Sequence, residues 1–401
     1  MKSLRILMIA PQPVFTPRGT PFSVVHRCRA LIRLGHEVDL VTYPFGEDPG
    51  VDGLRILRCS RPMGVHGVPI GPSVRKLRTD FSLAITSWNT AMRGTYDLIH
   101  THEEAGVLGV MLRRRLKVPH LYDMHSSLPQ QFHNFGRYDF RPVVSAFERL
   151  ERFMLDSSDG LIVICDSLGD RAREVGYEGP MQLIENTLDF EVGEDTAERV
   201  PELRERLQLG DGPIVVYTGT LERYQGLDLL LESVPRVVQK FPSVRFLIVG
   251  GSAEDSAALG ARAAELGVRE NVLDIPAVPP NDVHVYQRAA DILVTTRTRG
   301  TNTPLKLYQY LRSGRPMVAT SIFSHTQVLN GSCAELVKPD AESIADGILR
   351  LADDPARREE IVAAASTLAR EHYSEESYYE RLQSLLARMS LDPDVPMESV
   401  A

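Results

Sequence analysis

The chain has a single tryptophan, Trp88, and only four cysteines in 401 residues. Cys28, Cys59, Cys165 and Cys333 lie far apart and form no Cys-x-x-Cys pair. That spacing argues against zinc modules and a disulfide framework, and it suits a reducing compartment. A basic excess is also missing: Lys+Arg number 45 against 53 Asp+Glu, a net charge of −8. A general nucleic-acid binder is normally basic, so no nucleic-acid partner is expected. No apolar run approaches the roughly 18 residues of a membrane span. The opening Met1-Lys2-Ser3-Leu4-Arg5-Ile6-Leu7-Met8-Ile9-Ala10 carries a short apolar run broken by Arg5, and reads as a first strand rather than a signal peptide. The expectation is a cytoplasmic protein, with the inner face of the membrane as a candidate place of action.

A chain of this length is too long for one ordinary core, so two domains are the default. The charge is unevenly placed. Residues 1–190 carry 23 Lys+Arg against 21 Asp+Glu, which leaves 22 against 32 beyond. The front is near neutral and slightly basic, and the back is acidic.

One stretch organises the rest: Gly300-Thr301-Asn302-Thr303-Pro304-Leu305-Lys306-Leu307-Tyr308-Gln309-Tyr310-Leu311-Arg312-Ser313-Gly314-Arg315-Pro316. Thr303 is a good N-cap and Pro304 suits the first helical turn. Leu307, Tyr310 and Leu311 share one helical face. Gly314 is placed to end the helix, Pro316 prevents its resumption, and Met317-Val318-Ala319-Thr320 reads as a buried strand. A loop entering a helix N-terminus, with Lys306 in the first turn, suits an anion such as a diphosphate.

The stretch resembles the donor-binding signature of family 4 glycosyltransferases, retaining enzymes of the two-domain GT-B fold. Their usual pattern is Glu, seven residues, Glu, then Ala-x-Gly-x-Pro-Val-Val. Gly314-Arg315-Pro316-Met317-Val318 matches the end, while Thr301 and Gln309 stand at the two Glu positions. Pro304-Leu305-Lys306 fits a Pro-Leu-Lys variant of the segment. The resemblance implies an α/β fold of two Rossmann-like, doubly wound parallel-sheet domains facing a central cleft. It implies domains at 1–190, with a crossing helix at 374–390, and at 213–373, joined by a linker at 191–212.

The residue patterns agree with that fold. Strand-like runs at 4–10, 37–42, 97–101, 120–123 and 161–165 alternate with helical ones, which predicts a parallel sheet covered on both faces. A second set follows at 214–218, 244–249, 272–275, 292–295 and 317–319. Ligands in such sheets sit at the carboxyl ends of the strands. The loop at 11–20 is long and proline-rich, and Gly19 allows close backbone approach. The resemblance brings that glycine near the donor phosphates.

His100 and His102 flank a strand end beside Glu103 and Glu104. A metal site there needs a third ligand that the spacing does not supply, so no metal and no cofactor are expected. The resemblance gives His125 an active-site role near the transferred sugar. Arg75, Lys76, Arg78 and Arg93 punctuate Leu77, Phe81, Leu83, Ile85 and Trp88, and Arg113-Arg114-Arg115-x-Lys117 follows. Such a basic amphipathic stretch can lie on an anionic membrane, and it can equally be a solvated helix with an apolar underside.

In the back half, Gly219-Thr220-Leu221-Glu222-Arg223-Tyr224-Gln225-Gly226 leads into a helix whose Pro235 predicts a kink or break. The family usually has Arg at the position of Thr220 and Lys at that of Gln225, both for the donor diphosphate. With those cations absent, Arg223 and Lys306 are expected to meet it, with Arg297 and Arg299 within reach. Ala277-Val278-Pro279-Pro280 resembles the family loop that holds the nucleotide base. The donor residues implied are therefore Gly19, Thr220, Arg223, Gln225, Val278, Thr301, Asn302, Thr303, Pro304, Leu305, Lys306 and Gln309. The implied activity is transfer of a sugar from a nucleotide-diphosphate sugar, UDP or GDP first, to a glycan or lipid-linked hydroxyl, with retention. A nucleotide-sugar 2-epimerase and a non-catalytic partner on the same fold stay open at this point.

Overall fold

In a computed structural model, residues 2–16, 19–68, 73–129, 141–185 and 197–389 are described, with residues 19, 141–143 and 280 as backbone only. The chain divides into two compact units, residues 1–186 with 375–401, and residues 187–374. Among the described residues no helix is long and apolar enough to cross a membrane.

Unit 1 runs β1 Arg5–Ala10, α1 Gly19–Arg33, β2 Glu37–Thr42, β3 Leu54–Arg58, α2 Val74–Arg93, β4 Leu98–His102, α3 Gly106–Leu116, β5 His120–Met124, α4 Arg141–Asp156, β6 Gly160–Val163, α5 Asp166–Val175 and β7 Met181–Leu183. Its parallel sheet has the order β3-β2-β1-β4-β5-β6-β7. Both faces of β1 are covered, and Ile6, Leu7, Met8 and Ile9 are fully buried, while β4 and β5 bury His100, His102 and Asp123 among apolar neighbours. The short outer strands β3 and β7 escape the sequence pattern, since neither is fully buried. The last helix, Glu375–Arg388, also belongs to unit 1. Its Tyr378, Leu382, Leu385 and Leu386 join the core that contains Ile6, Met8 and Leu31.

Unit 2 runs α6 Arg199–Arg206, β8 Ile214–Thr218, α7 Leu227–Lys240, β9 Arg245–Val249, α8 Ala253–Glu265, β10 Val272–Ile275, α9 Pro280–Ala289, β11 Ile292–Thr295, α10 Lys306–Arg312, β12 Met317–Thr320, α11 Phe323–Thr326, β13 Glu335–Val337, α12 Ala341–Asp353 and α13 Pro355–His372; the final helix is then α14. The sheet order is β10-β9-β8-β11-β12-β13.

Three local expectations need correction. Of the stretch 191–212, expected as linker, residues 191–196 lie outside the described residues. Its latter part forms α6, because Leu203 and Leu209 bury against Tyr286 and Ala289. Pro235 does not break its helix: α7 is continuous, held by the burial of Leu230, Leu231, Val234 and Val237. Thr303 is not an N-cap. The chain turns tightly after Pro304, whose carbonyl accepts from Leu307 N (3.1 Å), so the helix starts at Lys306 behind an uncapped Leu305.

Candidate functional site

In unit 2 the strand order reverses between β8 and β11, which makes their carboxyl ends the topological switch point where such sheets bind ligands. Two loops flank it, residues 219–226 and 296–305. They are stitched together: Thr296 Oγ1 donates to Gln225 O (2.9 Å) and Thr298 N to Tyr224 O (2.9 Å). Gly226 permits the approach, since a Cβ there would collide with the Thr296 carbonyl.

Lys306 points under this pair of loops. Its Nζ is sealed from solvent and has no hydrogen-bond partner among the described residues. It lies 3.8 Å from the centre of the Tyr217 ring. A Cβ on Gly219, whose φ is +141°, would come within 2.7 Å of that Nζ. Burial lowers the ammonium to about 7; Arg297 pushes the same way, and Glu222 works against them. The Arg297 guanidinium stacks 5.0 Å from the centre of the Tyr224 ring and donates to the carbonyls of Arg299 and Asn302, each at 2.9 Å.

Thr220 and Gln225, at the positions of the two usual cations, bond to each other: Gln225 Nε2 donates to Thr220 Oγ1 (3.2 Å). Gln225 is buried, so it shapes the loop. Arg223 is exposed in a single 3-10 turn at the loop's tip. Gln309 Oε1 accepts from Gln287 Nε2 (3.2 Å), and that amide also reaches Thr218 Oγ1 (3.2 Å). Thr301 is exposed and its carbonyl accepts from Gln327 Nε2 (2.7 Å). Asn302, Thr303 and Leu305 are half-buried in the same loop, and Pro304 is buried. Val278 follows β10 and packs against the core. The sheet thus gathers every unit 2 residue expected for the donor at its carboxyl end.

Unit 1 has its own switch point, between β1 and β4. Gly19 is the first residue of α1, in the connection that leaves β1. His125 follows β5 and is 4% exposed. It is one of a group. Its Nε2 lies 3.2 Å from Asp123 Oδ1 and 3.1 Å from His102 Nδ1, and His100 Nε2 lies 3.5 Å from Asp123 Oδ2. Arg27 Nε donates to Asp123 Oδ2 (2.9 Å) and its Nη1 to Tyr378 Oη (2.5 Å). That chain ties α1, β5 and α14 together inside unit 1. Burial holds His100 below its ordinary value and His102 well below. Burial alone would raise Asp123, but Arg27 and the histidines carry its carboxyl well below the usual range.

Asp123 also supplies the third metal-type group that the sequence spacing lacked. His100, His102 and Asp123 bring ligand atoms within 4.8 Å of one another. The single carboxylate is already matched by the buried Arg27 cation, which weakens its call on a metal. Nothing in the sequence signals the Asp123–Arg27–Tyr378 chain, because its bonded members are 96 and 351 residues apart.

The basic stretch divides in use. Arg113 pairs with Asp159 and Arg114 stacks on Phe153, so part of the run is structural. On α2, Val74, Leu77 and Phe81 are 69–73% exposed and Ile85 is 47% exposed. This helix therefore carries an apolar stripe outward as well as a buried face.

Two family models match, in order along the chain: the glycosyl transferase 4-like domain over residues 18–187 and the glycosyl transferases group 1 domain over residues 212–354. The D-inositol 3-phosphate glycosyltransferase of Xylanimonas cellulosilytica is 26% identical over 88% of this chain and 87% of its own. The phosphatidyl-myo-inositol mannosyltransferase of Mycobacterium tuberculosis is 24% identical over 92% and 93%. Among solved structures, HepE of Anabaena in complex with UDP superposes with a TM-score of 0.76 at 16% identity, over 96% of this chain and all of that one. Sucrose-phosphate synthase of Thermosynechococcus elongatus gives 0.77 at 21% identity, over 96% and 99%. With two Rossmann-like units and both family models in sequence, the chain belongs to the family 4 glycosyltransferases, on the GT-B fold.

Proposed function

We propose that unit 2 holds a nucleotide-diphosphate sugar, with UDP or GDP as its carrier, and that unit 1 supplies the acceptor side. One observation supports the donor reading above the others: the desolvated Lys306 ammonium under Gly219 at the switch point, which has no hydrogen-bond partner among the described residues. A buried cation without a hydrogen-bonded anion is costly, and strongly perturbed groups of this kind cluster where a ligand supplies the counter-charge. Lys306 and the exposed Arg223 meet the diphosphate, with Arg297 behind them. Thr220 and Gln225 shape the loop around it. Thr301, Asn302, Thr303, Pro304, Leu305 and Gln309 line the sugar and ribose side, and Val278 the base.

In the transfer, the bond from the sugar's anomeric carbon to the phosphate oxygen breaks, and its electrons leave with the diphosphate. The acceptor hydroxyl oxygen forms the new bond on the same face, and its proton passes to the departing phosphate oxygen. Fixed cations aimed at the leaving group stabilise the charge that develops there. Under this reading the reaction needs no added metal. We assign His125 to the transfer step, held by Asp123 and His102. The outward stripe of α2, with Arg75, Arg78 and Arg93, suits peripheral contact with an anionic membrane.

The test is turnover on hydroxylated amphiphilic acceptors with UDP- and GDP-sugars in excess EDTA, read by NMR of the new linkage. The expected product keeps the donor's anomeric configuration and forms in EDTA. An inverted product or a strict metal requirement would contradict the scheme. Conversion of the donor sugar to its 2-epimer without use of acceptor would replace it with an epimerase.

A further inference from the structure

Unit 1 contains a groove of about 570 Å³ between α2 and α3, within the range of small-molecule sites. Its walls are Leu83, Ala84, Ile85 and Trp88 from α2, and Val107, Leu108 and Met111 from α3. Its polar lining includes Asp80 and Glu104. Pro11, just beyond β1, and Glu104, just beyond β4, put that part of the groove at the unit's switch point.

The polar part is a built cluster. Lys76 forms an ion pair with Glu104 and lies 3.7 Å from Asp80 Oδ1. Tyr43 Oη donates to Asp80, and Lys76 Nζ donates to Tyr43 Oη (3.2 Å). Two carboxylates with spare lone pairs suit hydroxyl groups, and their charge disfavours a bare anion. From Asp80 to Trp88 the groove follows α2 for about 12 Å, eight residues at the helical rise.

The occupant's chemistry follows from this layout. Charged groups concentrated near one end of a mostly hydrocarbon-walled trough, with only the Asn89 amide beside Trp88 at the other, fit a molecule with a hydroxylated head and one apolar chain. The walls are helical side chains, so no strand edge is offered to a peptide. Ile85 lines this groove and also a second one of about 470 Å³ with Val74, Leu77 and Phe81. The trough is thus continuous with the outward apolar stripe, which Arg61 and Arg78 flank. Those cations complement an anionic lipid surface, from which a chain can enter.

We propose that the α2–α3 groove is the acceptor subsite for the chain of an amphiphile, with Asp80 and Glu104 receiving its hydroxylated head. The acceptor is then a lipid-like molecule rather than a free sugar. This rests on the reading of unit 1 as the acceptor side. Burial of a chain strengthens with length, by about fourfold per methylene at full burial.

Trp88, the only tryptophan, lines the groove and reports on it directly. The experiment titrates the full chain with octyl and decyl maltoside below their micelle thresholds, with maltose as control, following tryptophan emission. Expected are a saturable blue shift, binding up to about 15-fold tighter for decyl than octyl, and no response to maltose. Ala84→Phe, which fills the groove, should abolish the shift while nucleotide binding persists. Phe81→Ser, on the outer stripe, should keep the shift and weaken sedimentation with anionic vesicles. No saturable shift, no dependence on chain length, or an unchanged shift in Ala84→Phe overturns the subsite. Absence of nucleotide binding by the unmodified protein would overturn the donor reading instead.

Discussion

Burial and the neighbouring Arg297 hold the Lys306 ammonium at about 7 in the free protein, with Glu222 opposing them. Tyr217 lies against it, and His325 feels its charge. A diphosphate beside it raises that value, so the ligand binds the protonated form. Nucleotide affinity should therefore fall as pH rises above 7, by up to about tenfold per unit. In Lys306→Arg the dependence should vanish, because guanidinium stays charged. Dissociation constants at pH 6.5, 7.5 and 8.5 check this, and a flat profile in the unmodified protein would contradict it. The sequence allowed Lys306 to be singled out, because it follows Pro304 in a recognisable segment. It hid the environment: Tyr217 comes from β8 and Gly219 and Glu222 from the loop after it, 80 or more residues away. The mutual bond of Thr220 and Gln225 was equally invisible, since sequence shows what replaces a cation but not where it points.

The strands were legible because a strand covered on both faces has no polar alternation to confuse it. Ile214–Thr218 and Ile292–Thr295 have the expected bounds, and so does the edge strand Val272–Ile275, whose Val, Leu and Ile still mark it. The outer strands β3, β7 and β13 were missed because they are short and partly exposed. Loop geometry rests on glycines whose tolerance differs. Gly226 and Gly314 both have φ +70°, but a Cβ at Gly226 strikes the Thr296 carbonyl, while at Gly314 it meets nothing within 4 Å. Gly314→Ala should cost only the left-handed backbone term, about 1–2 kcal/mol. Gly226→Ala should cost more in urea denaturation of the same unit and should also weaken nucleotide binding. Equal costs with unchanged binding would separate the two loops from the donor site.

Across the whole molecule, several histidines are folded away in neutral form. Burial takes His120 down to about 3 and His325 to about 4, and it lowers His100 and His102 as well. Their unfolded values are near 6.5. As pH falls below 6.5 the unfolded chain takes up protons that the native chain does not. Each such histidine then removes about 1.4 kcal/mol per pH unit until its folded value is reached. Asp123, held well below the carboxylate range, adds a loss at lower pH still, once the unfolded carboxyl protonates. The histidine penalty should be absent above pH 6.5, and stability should fall steeply from there toward pH 4, as urea midpoints at stepped pH would show. A constant midpoint from pH 7 to 4.5 would contradict the buried, neutral state of these rings.

The central claim is that unit 2 binds a nucleotide diphosphate through Lys306. Calorimetric titration of the purified protein with UDP, GDP, ADP and dTDP, with and without magnesium, tests it most directly when repeated on Lys306→Met. The account predicts that UDP or GDP binds without need of magnesium, and that the variant loses roughly 10- to 150-fold, the worth of one charge-assisted contact. Binding by none of the four, or equal binding by the variant, would contradict it.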